Sequence, residues 1–265
     1  MIERQRMIDA IAESLEPHAW ARAVWLGGSD ATGRTDTWSD IDIQVLVEDD
    51  RVEDALEAVH AALAELSPIA HRHRFPEPTW HGHAQELLSL RDADPCHFVD
   101  LVVMRRGRPG RLLEPERHGT PAVLFDKDGE VRPEPLDRAA HEAKMQARLG
   151  ALRQTFFLLQ NLTTKAVRRG DVADAVQHFH AFTVRPLVEL LRIRHCPDRW
   201  DFGLRYLDRD LPADVRAEVV ALMLPATLDA VEEHRARAEA MFRACLADRD
   251  AGRWGRPAAA TGSGR

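Results

Sequence analysis

The chain has 265 residues, of which 45% are hydrophobic and 30% charged. That is the balance of a folded globular protein with room for one large or two modest cores. The formal net charge of −7 argues against wrapping a long nucleic acid, because such binding needs clustered cations to release counterions.

Taken in chain order, Ile2, Met7, Ile8, Ile11 and Leu15 fall close to helical spacing, predicting a helix over 2–16. The segment AVWLGG (23–28) is a short apolar run ending in glycine, which reads as a strand entering a turn. IDIQVLV (41–47) predicts a second strand, and VEDALEAVHAALAEL (52–66) a helix with Val52, Leu56, Val59, Leu63 and Leu66 on one face. HRHRFPEPTWHGHA (71–84) holds four histidines, two prolines and a glycine and reads as a loop. FVDLVVM (98–104) predicts a buried strand, and AVLFDKDGEV (122–131) a short strand followed by a turn at Asp128-Gly129.

From about residue 136 the strand signals stop. Helices are predicted over 137–169, 171–195 and 213–248, the last interrupted at Pro225. Gly170-Asp171 reads as a C-cap followed by an N-cap. RPEPLD (132–137) marks a domain boundary, and the glycine-rich end reads as a disordered tail. The expected fold class is α+β: a mixed β-sheet with flanking helices over 1–135, an all-α helical bundle over 136–250, and a tail over 251–265.

Cys96, Cys196 and Cys245 are dispersed, odd in number and without CxxC spacing, as in a reduced, cytoplasmic protein. The charged N-terminus lacks the apolar core of a secretion signal. No apolar run approaches the roughly 20 residues that span a bilayer.

The chemistry concentrates in AVWLGGSDATGRTDTWSDIDIQVLVED (23–49). Asp40 and Asp42, at i and i+2, point to the same face of an extended strand. Two such carboxylates repel and are costly to bury unpaired. A shared divalent cation is one compensation, and hard oxygen ligands suit Mg²⁺. Gly27-Gly28-Ser29, at the end of the preceding strand, offers backbone donors that favour a phosphate. Asp100, set within FVDLVV, supplies a third carboxylate of the kind that two-metal phosphoryl chemistry uses.

These residues carry a resemblance. GGSDATGRTDTWSDIDI (27–43) resembles the signature of the DNA polymerase β-like nucleotidyltransferase superfamily: Gly-Ser, a spacer with an internal glycine (Gly33), then Ser-Asp-x-Asp. Asp100 matches that superfamily's third acidic strand position. A minimal nucleotidyltransferase domain followed by a helical partner looks like the antibiotic nucleotidyltransferases that adenylylate aminoglycosides or lincosamides. The motif resemblance covers 23–47 and 98–104. The helical half resembles those enzymes in general character, mainly through KAVRRGDVADAVQHFHAF.

The resemblance implies Mg²⁺-dependent transfer of a nucleoside monophosphate, AMP from ATP before another NTP, to a hydroxyl of a small-molecule acceptor, with release of pyrophosphate. Asp40, Asp42 and Asp100 would hold two Mg²⁺ ions, Asp100 serving also as base. Gly28, Ser29 and Ser39 would bind the nucleotide. Lys165 would add a countercharge from the helical half, with Lys144 as a second candidate. An aminoglycoside-like acceptor would suit the acidic net charge. Asp30 departs from the pattern, since many relatives carry a basic or neutral residue directly after the serine.

Other clusters have plainer readings beside functional ones. His71, His73, His81 and His83 have HxH spacing, but no cysteine or fixed zinc pattern accompanies them. A solvated loop lining the acceptor cleft, with Trp80 and His81 touching substrate, is the alternative. Lys165, Arg168 and Arg169 would be favoured near a helix C-terminus by the dipole alone. His178 and His180, two residues apart on a helix, face differently. Glu86 could be a substrate-side base. RWDFGLRYLDRDLP (199–212) reads as an interhelical brace or a wall of the substrate site. Two other functions stay open: transfer to a protein or RNA end, as in toxin–antitoxin nucleotidyltransferases, and a non-catalytic nucleotide-binding module. Expected partners are an NTP and a small acceptor, without membrane or long nucleic acid, in a monomer or homodimer.

Overall fold

The computed structural model describes residues 1–254. Its contacts divide the chain into two compact units, Met1–Leu136 and a second beginning at Asp137. The first holds α1 (Arg4–Leu15), β1 (Ala21–Leu26), a single helical turn α2 (Gly28–Ala31), β2 (Ile41–Val47) and α3 (Val52–Leu66). It continues with β3 (Ile69–Arg74), β4 (Ala84–Leu90), β5 (Val99–Arg105), a short α4 (Pro115–His118) and β6 (Ala122–Asp126). The six strands form one mixed sheet in the order β3-β4-β5-β2-β1-β6. β2 and β5 run parallel at its centre, and every other neighbouring pair is antiparallel.

Alternation along the central strands sorts their side chains. Ile41, Ile43 and Val45 of β2 and Val99, Leu101 and Val103 of β5 join one core with Met7, Ile8 and Ile11 of α1 and Leu56, Val59 and Leu63 of α3. Fully burying each such chain contributes roughly 1.5–3 kcal/mol, which anchors the two strands from behind. On the opposite face Trp25, Leu46, Val102 and Met104 pack with Leu113 in a smaller cluster. That cluster covers only part of the face; the remainder carries Asp42 and Asp100.

The histidine-rich stretch is not all loop, since 69–74 is the edge strand β3. Strand β4 was not foreseen; its burial alternates strictly over Ala84–Leu90.

The second unit is helical: α5 (Arg138–Arg169), α6 (Val172–His178), a π-helical turn at Phe179–Val184 leading into α7 (Arg185–His195), then α8 (Leu207–Asp210), α9 (Ala213–Leu222) and α10 (Leu228–Asp250). Gly170 closes α5 in the left-handed region at φ 73°, and the Asp171 side chain caps α6 by accepting from the Asp174 N–H. The π turn precedes Pro186, which has no N–H to give the Phe182 carbonyl. The buried Gln160 amide of α5 donates to that carbonyl instead, at 2.9 Å, and Thr183 Oγ1 donates to Gln160 Oε1 at 2.6 Å. Helix 213–248 breaks between Leu222 and Leu228, around Pro225. Most of the expected tail, 255–265, lies outside the described residues. Within 251–254, Trp254 Nε1 donates to the Cys245 carbonyl of α10 at 2.9 Å. Among the described residues no helix is long and apolar enough to cross a membrane.

Candidate active site

β1 runs out at Leu26, and the chain turns sharply against β2. The Gly27 N–H donates to the Asp42 carbonyl at 2.9 Å. Gly28 follows at φ 50°, and a Cβ there would stand 1.7 Å from Asp42 Oδ2. Only glycine fits, because any side chain would occupy the carboxylate's place. Ser29 comes next in α2, and its hydroxyl is buried without a hydrogen-bond partner. Such an orphan is costly unless a ligand satisfies it.

β2 then presents Asp42, and β5 presents Asp100 directly beside it in the parallel ladder. Asp40 precedes β2 by one residue. Its carbonyl accepts from Arg4 Nε and Nη2 at 3.0 and 2.8 Å. All three carboxyls are half-buried and all three have raised pKa values. For Asp40 the main cause is burial, offset in part by the Arg4 charge. Burial, then the negative charges of Asp40, Asp100 and Asp30, pushes Asp42 up to about 7. Asp100 is raised by burial and by Asp40, against a hydrogen bond from Gln85 that favours its charged form.

That hydrogen bond belongs to a chain. The His83 N–H donates to His81 Nδ1 at 3.1 Å, so the proton of a neutral His81 sits on Nε2. Nε2 donates to Gln85 Oε1 at 3.2 Å, which turns the Gln85 amide nitrogen toward Asp100 Oδ1 at 2.8 Å. His81 therefore belongs to the frame behind Asp100.

Asp30, which had no place in the sequence pattern, pairs with Arg4 of α1. The same guanidinium also reaches the Ser39 carbonyl at 3.2 Å. Arg4 thus ties α1, α2 and the start of β2 together. The Ser39 hydroxyl accepts from the Asp36 N–H at 2.9 Å and donates to Asp36 Oδ1 at 3.1 Å, closing the turn that leads to Asp40.

The remaining candidates disperse. Glu86 is buried on the helix-covered side of the sheet, where His60 Nε2 of α3 lies 2.6 Å from its Oε2. It is not a substrate-side base. His83 is buried, with Nε2 2.9 Å from the Gly110 carbonyl, whereas His71 and His73 stand exposed on β3. The four histidines therefore do not form one ligand set. Trp80 is 82% exposed. Lys165 and Lys144 are exposed on α5 in the second unit, with Arg168 and Arg169 in that helix's last turn. Arg192 and Asp210 form a fully buried ion pair that braces the 199–212 segment. Arg4 and Gln85 are the members of the site that the sequence did not announce.

The donor set is one a hard divalent cation accepts: three carboxylates and no soft ligand, with mutual repulsion that a cation would relieve. Among the described residues no group of three or more His, Cys, Asp or Glu side chains is arranged to hold a metal ion. Mg²⁺ normally keeps waters and takes its remaining oxygens from substrate phosphates.

No protein-family model matches the sequence, and no curated protein matches it significantly. Among solved structures the chain is similar to an aminoglycoside 6-adenyltransferase from Bacillus subtilis, at 14% identity over 97% of this chain and 94% of that one, with a TM-score of 0.34. It is also similar to the spectinomycin adenyltransferase AAD(9) from Enterococcus faecialis, whose structure contains ATP and spectinomycin, at 12% identity over 97% and 93% of the two chains, with a TM-score of 0.36. Both likenesses are loose, and the reading of the site rests on its own geometry.

Proposed function

We propose that the protein is a nucleotidyltransferase that moves a nucleoside monophosphate, AMP from ATP, to a hydroxyl of a small acceptor. One observation carries this reading. Asp42 and Asp100 stand side by side in the β2–β5 ladder, Asp40 lies near enough to raise the pKa of both, and Asp42 abuts a glycine that no side chain could replace, followed by a buried serine hydroxyl with no partner. A purely structural cluster would have been relieved by protein cations, and Arg4 is spent on Asp30 and backbone carbonyls.

In this reading Ser29 Oγ donates to a triphosphate oxygen, and Gly28 lets that phosphate approach Asp42. Bound between Asp40, Asp42 and Asp100, Mg²⁺ would supply charge neutralisation for the triphosphate. The acceptor oxygen attacks the α-phosphorus while the bond from that phosphorus to the β-bridging oxygen breaks. Pyrophosphate leaves with the electron pair, and the acceptor's proton passes to the Asp100 carboxylate. Gln85 holds that carboxylate in place. Ser39 orients the approach to β2 through its hydrogen bonds with Asp36.

The test is incubation with Mg²⁺, each α-labelled NTP and a panel of acceptors, reading label transfer and pyrophosphate. Asp42→Asn should abolish both. Absence of NTP binding in the presence of Mg²⁺, together with no pyrophosphate under any condition, would defeat the proposal.

A further inference from the structure

The face that carries Asp42 and Asp100 continues across the sheet. His73 of β3 stands opposite Leu87 of β4, Leu87 opposite Asp100 of β5, and Asp100 opposite Asp42 of β2. These four residues form one row over four strands. In the neighbouring row His71 stands opposite Ser89. With Phe98, two residues before Asp100, the side chains of His71, His73, Leu87 and Ser89 border a groove of about 350 Å³, within the ~300–1,000 Å³ usual for small-molecule clefts.

The strand order gives this groove a place in the reaction. Gly28 and Ser29 follow β1, on one side of the aspartate row. The groove lies on the other side, over β4 and β3, with Phe98 just before β5 at its border. A triphosphate seated on Ser29 leaves the Asp100 side open to the attacking hydroxyl.

We propose that this groove is the acceptor subsite, and that the acceptor it selects is a hydroxylated ring compound without positive charge. The proposal rests on the nucleotidyl-transfer reading above and adds a substrate class to it. None of the residues bordering the groove is acidic. The imidazoles of His71 and His73 carry either no charge or a positive one. A polyammonium compound seated there would lose hydration without gaining an anionic partner from the groove, which is costly. Imidazole nitrogens and the Ser89 hydroxyl both donate and accept, as hydroxyl groups require. Leu87 and Phe98 offer the apolar surface that the C–H face of a ring can cover. Arg72, between the two histidines, turns to the helix-covered side, where its Nη1 lies 3.3 Å from His60 Nδ1. The acidic net charge of the whole chain is therefore a poor guide to the acceptor, because the local lining has the opposite tendency.

Two measurements on the full chain test this and separate it from the reaction class. First, binding of Mg²⁺ and ATP by calorimetry reads the nucleotidyl-transfer reading alone. Second, the imidazole NMR signals of His71 and His73 are followed during titration with N-acetylglucosamine, myo-inositol, glucose 6-phosphate and kanamycin, with ATP-dependent labelling of each probe in parallel. The expected result is movement of both histidine signals with at least one uncharged or anionic probe, which also becomes labelled. His73→Ala and His71→Ala, both at exposed positions, should then raise the KM for that probe about tenfold and leave the KM for ATP within twofold. Labelling confined to kanamycin, or histidine signals that no uncharged or anionic probe moves, overturns the assignment even where ATP binds normally. So does an unchanged acceptor KM in both variants.

Discussion

Asp42 and Asp100 stand side by side in the parallel β2–β5 ladder, with their carboxyls on the sheet face away from the α1–α3 core. Burial and the neighbouring charges of Asp40 and Asp100 hold the Asp42 pKa at about 7, well above its value in an unfolded chain. The folded protein thus binds a proton that the unfolded chain has released. Stability contributed by protonated Asp42 is present below about pH 4 and is lost as the pH rises toward 7. Asp42→Asn should flatten that slope and stabilise the metal-free protein at pH 8 by a few kcal/mol, an order of magnitude set by ~1.4 kcal/mol per pKa unit. Mg²⁺ should raise the melting temperature of the parent protein at pH 8 more than that of the variant. Denaturation curves across pH 4–8, with and without Mg²⁺, check both expectations.

The site was legible in sequence wherever local alternation decides the outcome. Alternation puts Asp42 on the face of β2 away from the core, although Asp40 lies one residue before that strand, and the second apolar strand announced Asp100. Strand β3 was not legible because His71, Arg72, His73 and Arg74 are polar on both faces, leaving no hydrophobic period to read. Glu86 and Gln85 show how finely the outcome depends on register. They are adjacent in β4, so Gln85 reaches Asp100 while Glu86 turns to His60 behind the sheet. Arg4 could not be found from its own helix, where an arginine reads as solvated; its partners lie 26 to 36 residues away.

Gly28 gives a steric prediction. Alanine there would need to put its Cβ 1.7 Å from Asp42 Oδ2 at a φ of 50°, so the carboxylate must move. Gly28→Ala should cost about 1–3 kcal/mol of stability and lower nucleotidyl transfer by about 100-fold, the scale of a 1 Å misplacement of a reacting group. Steady-state kinetics beside thermal melts would separate the two effects. Unchanged activity would mean that Asp42 is not held at a working position.

Gln85 should act through Asp100. Gln85→Leu removes a donor to the ionised carboxylate and so raises the Asp100 pKa further. The acid limb of the kcat profile should shift to higher pH, and kcat near neutrality should fall about 10-fold, as for other supporting residues around a metal site. ATP affinity should change little. A uniform loss with an unshifted pH profile would assign Gln85 a packing role only.

Arg4 and Asp30 are largely buried and paired, and Arg4 also satisfies two carbonyls. Arg4→Leu should cost about 3 kcal/mol, because it strands a carboxylate and two acceptors. Arg4→Leu with Asp30→Leu should recover part of that loss, since the stranded charge goes too. A double-mutant cycle by urea denaturation measures the coupling. Coupling near zero would show that Asp30 is held by something other than Arg4.

In the helical unit the corresponding pair is Arg192 and Asp210. Arg192 Nη1 donates to Asp210 Oδ2 at 2.7 Å with both side chains wholly buried, and Arg199 and Arg209 close on the same carboxylate. Burial alone would raise the Asp210 pKa, but hydrogen bonds from Arg199 and Arg192 outweigh it and hold the group below the ordinary carboxylate range. Stability from this ion pair is therefore present above about pH 4 and lost as the pH falls through the lowered value. Asp210→Ala leaves the buried Arg192 guanidinium without its counter-charge and should cost about 3–5 kcal/mol at neutral pH. The loss should shrink toward pH 2, where the parent's carboxylate is itself neutralised. Circular dichroism of acid and urea unfolding for parent and variant reads this directly. A loss that stays constant across the pH range would mean that Asp210 contributes by packing and not by its charge.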